Sequence, residues 1–217
     1  MPEPDAPHRR LQVAGGRHLR LSHPLVLAIL NVTPDSFSDG GRLAGPAAAA
    51  TAARQAVEAG ADILDVGGES TRPGHAPVPA DEEARRVVPA IQAILDAVPE
   101  AVVSVDTRKA AVAQAAIAAG AHVVNDVSGL DDPAMARLAA DTGCGLVVMR
   151  HAPLPGDVVA AARAELAQRV QRAWDAGVAR DAILVDPGIG FGDPPGGDVA
   201  ANLRLLRAAR EAPTSTG

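Results

Sequence analysis

The sequence predicts an α/β fold, a parallel barrel of the TIM (β/α)8 type that lacks its last two βα units. Short apolar runs alternate with longer alanine-rich stretches of helical period, which is typical of parallel strands buried on both faces. Polar residues gather directly after these runs, where barrels of this type carry their active sites. The alternative is a doubly wound sheet, which would collect such residues only at its switch point. The spread of polar residues over most strand ends favours the barrel.

Each element follows from a local pattern. The apolar runs predict six strands, at residues 25–30, 63–66, 102–105, 122–127, 146–149 and 183–185. Helices are predicted between and after them, at residues 46–59, 81–98, 108–119, 132–141, 158–176 and 199–210. Gly60, Gly120 and Gly177 follow three of these helices, at the position where glycine commonly ends a helix. Asp132 and Pro133 together form a start signal for the fourth helix, and Pro89 is expected to kink the second.

Composition narrows the class of protein. A length of 217 residues fits a single domain over residues 1–217, and a net charge of −6 argues against a nucleic-acid partner. The longest apolar runs fall short of the ~18–20 residues that a membrane span needs. The first ten residues lack the apolar segment of a secretory signal. One cysteine excludes a disulfide framework, and the histidines show no metal-binding spacing. We therefore expect a cytoplasmic protein without a membrane partner.

Two loops carry most of the polar groups. The loop at residues 31–41 holds six polar side chains and ends in two glycines, as expected of a mobile lid, although the same residues also form ordinary turns. The loop at residues 65–74 is rich in glycine, and its Thr71 and Arg72 suit a phosphate group. Glu69 of that loop is equally well explained as the partner of an arginine. These loops alone are a weak indication of function.

Three further polar residues each end a predicted strand: Asp106, Asn125 and Asp186. Their side chains are expected to point into the barrel mouth. Carboxylates together with a carboxamide suit a flat heterocycle that presents adjacent N–H donors and a carbonyl group. A structural network with Arg108 or Arg150 is the alternative, because buried carboxylates are costly unless they are paired.

Five segments together resemble the dihydropteroate synthases, the pterin-binding barrel family of folate biosynthesis. They are LAILNVTPDSFSDGG at residues 27–41, DVGGESTRPG at 65–74, SVDTRK from Ser104, VVNDVSG from Val123 and LVDPGIGFG from Leu184. The resemblance covers about residues 10–192. It implies a (β/α)8 barrel that is usually a homodimer. It also implies the condensation of (7,8-dihydropterin-6-yl)methyl diphosphate with 4-aminobenzoate, in which diphosphate is released. Sulfonamides occupy the aminobenzoate site in this family.

The resemblance also implies a role for individual residues. Asn31 is expected to bind the Mg2+ ion that holds the diphosphate, and no residue is assigned as a general acid or base. The expected substrate-binding residues are Asp106, Asn125 and Asp186 for the pterin ring, Thr71 for the diphosphate, Arg72, Pro73 and Phe37 around 4-aminobenzoate, and Phe191.

The sequence departs from the family pattern near its end. Gly192 is followed by Asp193 where the family has lysine, and no apolar runs are left for a seventh and an eighth strand. We therefore expect a synthase truncated at its C-terminus, with feeble or absent activity in the chain as it stands. The alternatives are a weak or inactive pterin-binding paralogue and a methyltetrahydrofolate-binding methyltransferase barrel.

Overall fold

The computed structural model describes residues 10–32, 45–70, 76–150, 157–191 and 199–211. An N-terminal hairpin precedes six strands, each of which is followed by a helix. In chain order the elements are β1 (Arg10–Val13), β2 (Arg17–Arg20), β3 (Leu27–Asn31), α1 (Pro46–Glu58), β4 (Ile63–Gly67), α2 (Ala80–Ala97), β5 (Val102–Asp106), α3 (Ala110–Ala118), β6 (Val123–Asp126), α4 (Pro133–Thr142), β7 (Gly145–Met149), α5 (Val158–Asp175), β8 (Ile183–Asp186) and α6 (Val199–Glu211).

The main sheet is parallel throughout, and its strands follow one another in chain order from β3 to β8. This order has no switch point, which separates the fold from a doubly wound sheet. The predicted barrel-type α/β fold is thereby confirmed. Within the described ranges the sheet is open, because β3 and β8 each pair with one strand only. Apolar side chains on these edge strands are accordingly exposed, including Ile29 at 68% and Val185 at 52%.

The predicted elements agree with the observed ones to within a few residues. Positive φ angles of 98°, 106° and 98° at Gly60, Gly120 and Gly177 explain why glycine ends those helices. Asp132 caps α4 by accepting a hydrogen bond from the Ala134 amide at 3.0 Å. Pro89 lies inside α2, which continues through it as one helix.

Alternate residues of each strand face two different layers. Residues such as Leu64, Val66, Val103 and Val105 pack outward against the helices, in the larger core cluster that includes Ile91 of α2. The intervening residues face the inside of the curved sheet. A single strand therefore contributes to the core with one set of residues and to the barrel interior with the other.

The sequence analysis missed the hairpin of β1 and β2, which closes the N-terminal end of the barrel interior. Leu11 and Val13 are 1% and 0% exposed, and they pack against Ile63, Val102 and Val123 at the beginning of three barrel strands. The signal was present in the sequence. Apolar and polar residues alternate on both sides of a Gly-Gly pair, as expected of a hairpin.

Candidate active site at the C-terminal edge of the sheet

Four neighbouring strands bring residues at or next to their ends into one row at the C-terminal edge. Asn31 on β3 lies opposite Gly67 on β4, Gly67 opposite Asp106 on β5, and Asp106 opposite Asn125 on β6. The period of two along each strand turns all four residues toward the barrel interior. The register thus places the predicted site residues Asn31, Asp106 and Asn125 next to one another.

Gly67 leaves room in the middle of this row. A Cβ atom at this position would lie 3.1 Å from Asn31 Oδ1 and 3.7 Å from Asp106 Oδ2. The carboxamide oxygen of Asn31 and one carboxylate oxygen of Asp106 therefore border the same small space. A side chain on residue 67 would crowd the Asn31 oxygen, so glycine allows these two side chains to approach each other.

Asp106 is the most strongly perturbed of these groups. Burial, followed by the negative charges of Asp65, Glu83, Asp126 and Glu69, raises the pKa of Asp106 from 3.8 to about 8. A pKa this high favours the neutral form of the carboxyl group around neutral pH. A perturbed carboxyl group at the mouth of a barrel is typical of a functional site.

A second polar layer lies directly below the row. Asp65 is 3% exposed, and its Oδ2 accepts a hydrogen bond of 3.0 Å from Asn125 Nδ2. Asp65 and Ser104 lie opposite each other on β4 and β5. Burial raises the pKa of Asp65, while the nearby Ser104 hydroxyl group and the hydrogen bond from Asn125 act in the opposite direction. The sequence analysis gave neither residue a role, although their spacing of two residues from Gly67 and Asp106 places them on the same face.

Asp186 ends β8 at the same edge but belongs to a separate turn. Its Oδ1 accepts a hydrogen bond of 2.7 Å from the amide of Gly188. The guanidinium group of Arg150 donates to the carbonyl oxygens of Pro187 at 2.8 Å and Gly188 at 3.4 Å. These bonds fix the turn that leads to Phe191, which is 36% exposed. Among the described residues Asp186 makes no hydrogen bond to Asp106 or Asn125.

Ion pairs surround the glycine-rich loop after β4. Glu69 pairs with Arg108 Nη2 and with Lys109 Nζ, both at 2.5 Å, and accepts the Val78 amide at 2.9 Å. Lys109 also pairs with Glu83, which is 1% exposed. Burial alone would raise the pKa of Glu69, but the Lys109 and Val78 hydrogen bonds and the neighbouring cations lower it. Of the two interpretations of Glu69, the arginine partner is thus confirmed, and Arg108 is engaged by Glu69.

Part of the predicted site lies outside the described residues. Phe37, Thr71, Arg72 and Pro73 belong to this part. Within the described ranges no group of three or more acidic, histidine or cysteine side chains is arranged to hold a metal ion. Also within those ranges, no helix is both long enough and apolar enough to cross a membrane.

Comparison with known proteins decides the family. The model of the family described as "Pterin binding enzyme" matches residues 27–217. The chain belongs to this family. It is 43% identical over 207 residues to the dihydropteroate synthase of Escherichia coli, and this match covers 91% of the chain and 72% of the relative. A solved structure of Xanthomonas albilineans dihydropteroate synthase with 4-aminobenzoic acid superposes with a TM-score of 0.86 at 42% identity. That match covers 94% of this chain and 74% of the other.

The family resemblance seen in the sequence motifs is thereby confirmed. A further relative is a probable bifunctional folylpolyglutamate synthase/dihydropteroate synthase of Haloferax volcanii, 51% identical over 190 residues. That match covers 83% of the chain but only 22% of the relative. The chain thus spans about a fifth of this longer protein and nearly three quarters of the Escherichia coli enzyme.

Proposed function

We propose that this chain carries the pterin-binding part of a dihydropteroate synthase. The reaction joins (7,8-dihydropterin-6-yl)methyl diphosphate to 4-aminobenzoate. The observation that carries the proposal is the row of Asn31, Gly67, Asp106 and Asn125, which places polar side chains side by side at one edge of the sheet in a chain of the pterin binding enzyme family. The 4-aminobenzoic acid in the Xanthomonas albilineans structure supports the identity of the second substrate. The enzymatic relatives favour catalysis over an inactive paralogue or a methyltransferase barrel.

The pterin ring is bound by Asp106, Asn125 and Asp186 in this proposal. A pterin presents N–H donors beside a carbonyl group, and the oxygen atoms of the three side chains supply acceptors for those donors. A ligand with N–H groups favours the ionised form of Asp106, since hydrogen bonds to a carboxylate lower its pKa. The row thus gives the ring a defined orientation at the barrel mouth. Phe191 provides an apolar ring near the same edge.

The bond change needs no strong base. The C–O bond between the pterin methylene carbon and the diphosphate breaks, and its electron pair leaves with the diphosphate. The aniline nitrogen forms the new C–N bond and then loses a proton to solvent. Thr71, Arg72, Pro73 and Phe37 are proposed to bind the diphosphate and aminobenzoate, as the family resemblance implies.

Asn31 is proposed to bind Mg2+. Its carboxamide oxygen lies beside Gly67 at the C-terminal edge of the sheet, and Mg2+ prefers oxygen ligands, with water and substrate phosphates completing its shell. The residues present therefore fit the ion, although one protein ligand alone would not retain it. When bound, Mg2+ stabilises the negative charge of a leaving diphosphate.

Two further properties are proposed from the family resemblance and from the cysteine content. The family resemblance favours a homodimer, which light scattering of the purified chain would test. A single buried cysteine, Cys144, fits a reducing compartment, so we propose a cytoplasmic location, which cell fractionation would test.

Calorimetry with 6-hydroxymethylpterin tests the proposed pterin site. We expect binding by the 217-residue chain, and a loss of about tenfold or more in Asp106→Ala and Asp186→Ala, because each change removes a partly buried acceptor from the site. Asp96→Ala, at an exposed position on α2, is the matched control and should bind as the original chain does. Release of diphosphate with both substrates and Mg2+ then measures turnover. Equal pterin affinity in the original chain and in all three variants would refute the proposed pterin site. Absence of pterin binding by the original chain would refute it as well.

A further inference from the structure

Asp65 touches the proposed pterin site through Asn125. It lies on β4 in the layer below the row, with 3% of its surface exposed. Its Oδ2 accepts the hydrogen bond from Asn125 Nδ2 at 3.0 Å. Asp65 has no place in the proposed chemistry, yet a buried carboxyl group is costly to keep. Such a residue calls for a physical explanation.

The backbone around Asn125 is firmly held, which leaves its side chain as the variable part. The carbonyl oxygen of Asn125 accepts the Thr107 amide at 3.2 Å. The next residue, Asp126, is fully buried and accepts hydrogen bonds from Ser128 N at 2.9 Å, Ser128 Oγ at 2.6 Å and Leu130 N at 2.8 Å. The position of the Asn125 Cβ atom is therefore fixed, while rotation of the carboxamide is not.

Rotation of this carboxamide decides what the site offers to a ligand. With Nδ2 bound to Asp65, the carbonyl oxygen Oδ1 is available on the side away from Asp65. The opposite rotamer would set the amide oxygen of Asn125 against Asp65 Oδ2, which is unfavourable while Asp65 is ionised because both oxygens are then acceptors without a hydrogen. The acceptor of the Asn125 side chain is thus directed by its contact with Asp65.

We propose that Asp65 is a positioning residue that holds the Asn125 carboxamide with its oxygen toward the ligand, so that the site selects a ring edge bearing N–H donors. The selectivity rests on the proposed function, whereas the positioning of Asn125 does not. A site built to hydrogen-bond a particular group discriminates strongly against an analogue that lacks it.

Ser104 provides a matched control. It lies opposite Asp65 in the same layer and is fully buried. Its hydroxyl group has no hydrogen-bond partner among the described residues by distance and angle, as is also true of Asp65 Oδ1. Ser104→Ala therefore removes a buried polar atom from the same layer without removing the contact to Asn125.

The ligand test compares pterin with lumazine, in which a carbonyl oxygen replaces the 2-amino group. In Asp65→Ala we expect the preference for pterin over lumazine to fall by about tenfold or more, because the Asn125 carboxamide is free to turn. Asp65→Asn retains an acceptor oxygen and should keep the preference within about threefold. Ser104→Ala should also keep it. An unchanged preference in Asp65→Ala would overturn the selectivity.

A ligand-free measurement tests the positioning itself. The Asn125 side-chain amide protons, observed by 15N NMR of the full chain, should exchange slowly with solvent and be protected less in Asp65→Ala than in Ser104→Ala. Equal protection in both variants, with melting temperatures showing that each is folded, would refute the positioning of Asn125. If the original chain binds neither pterin nor lumazine, the proposed function fails together with the selectivity. The exchange rates still decide whether Asp65 positions Asn125.

Discussion

The two ends of the barrel interior are built from the same strands but hold opposite chemistry. At the N-terminal end, Ile63 on β4, Val102 on β5 and Val123 on β6 form an apolar layer covered by the hairpin residues Leu11 and Val13. Two to four residues further along the same strands, the interior contains Asp65, Ser104, Asp106 and Asn125 instead. The contrast arises within about 7–14 Å of strand, at ~3.3 Å per residue.

This difference shows how the fold separates stability from binding. Apolar residues at the closed end remove surface from water and stabilise the chain. Carboxyl groups at the open end are desolvated beside one another, which disfavours their charged forms. The polar end therefore lowers stability at the pH where it would bind a ligand, and the apolar end compensates for that loss. Removal of a carboxyl group from the polar end is therefore expected to raise the free energy of unfolding, whereas removal of an apolar side chain from the closed end is expected to lower it.

The largest effect is expected at Asp106. A folded-state pKa of about 8, against 3.8 for an ordinary aspartate, means that the proton binds the folded chain more tightly. Protonation of Asp106 therefore stabilises the folded chain, by at most roughly 5–6 kcal/mol. This contribution is complete below pH ~3.8 and is lost as the pH rises toward 8. Asp106→Asn should therefore be more stable than the original chain above pH 8 and gain little at pH 4. Urea unfolding across this pH range measures the difference.

Asp96→Asn is the control for this pH dependence, because Asp96 is exposed on α2. The difference in unfolding free energy between Asp106→Asn and Asp96→Asn should therefore grow as the pH rises from 4 to above 8. If the unfolding free energies of the two variants depend on pH in the same way, the folded chain does not raise the pKa of Asp106. The polar end would then not differ from the apolar end in its electrostatic contribution to stability.

A smaller effect, a loss of stability rather than a gain, is expected from a substitution of Leu11. Leu11→Ala removes a 1% exposed side chain from the closed end and should lower the free energy of unfolding by about 2–4 kcal/mol. Pterin affinity at the other end should remain within about twofold, since distant and independent sites behave additively. Chemical denaturation and calorimetry measure the two quantities. His18→Ala, at an exposed position of β2, serves as the control. A large loss of pterin affinity in Leu11→Ala would show that the two ends are energetically coupled and would contradict the prediction.

Sequence reasoning located the polar end better than the closed end. Asp106, Asn125 and Asp186 could be placed because each follows an apolar run, and the ends of parallel strands share one edge. The hairpin was missed because its two strands are only four residues long each and precede the repeating strand–helix pattern. The alternating residues of the hairpin can be assigned a role only when it is known that they pack on the apolar layer that contains Ile63 and Val102.

Contacts between side chains of different strands could not be predicted in the same way. The hydrogen bond between Asp65 and Asn125 joins residues 60 positions apart, and the pairing of Lys109 with both Glu69 and Glu83 depends on the register of β4 and β5. Sequence spacing gives the face of a strand on which a residue lies. It does not give the register between strands, which decides the partner of that residue.

The smallest effect is expected at His122, at the closed end, and it has the opposite pH dependence to that of Asp106. His122 Nδ1 accepts the Val103 amide at 3.2 Å, and burial, followed by the charge of Arg17, lowers the pKa of His122 below 6.5. Its stabilising contribution is therefore complete above pH ~6.5 and is lost as the pH falls through the folded-state value. His122→Asn keeps an acceptor for Val103 without titrating, so it should lose less stability than the original chain between pH 7.5 and 5. Thermal unfolding at both pH values, with His18→Asn as the exposed control, measures this. Equal losses in all three proteins would mean that only the polar end of the barrel responds to pH.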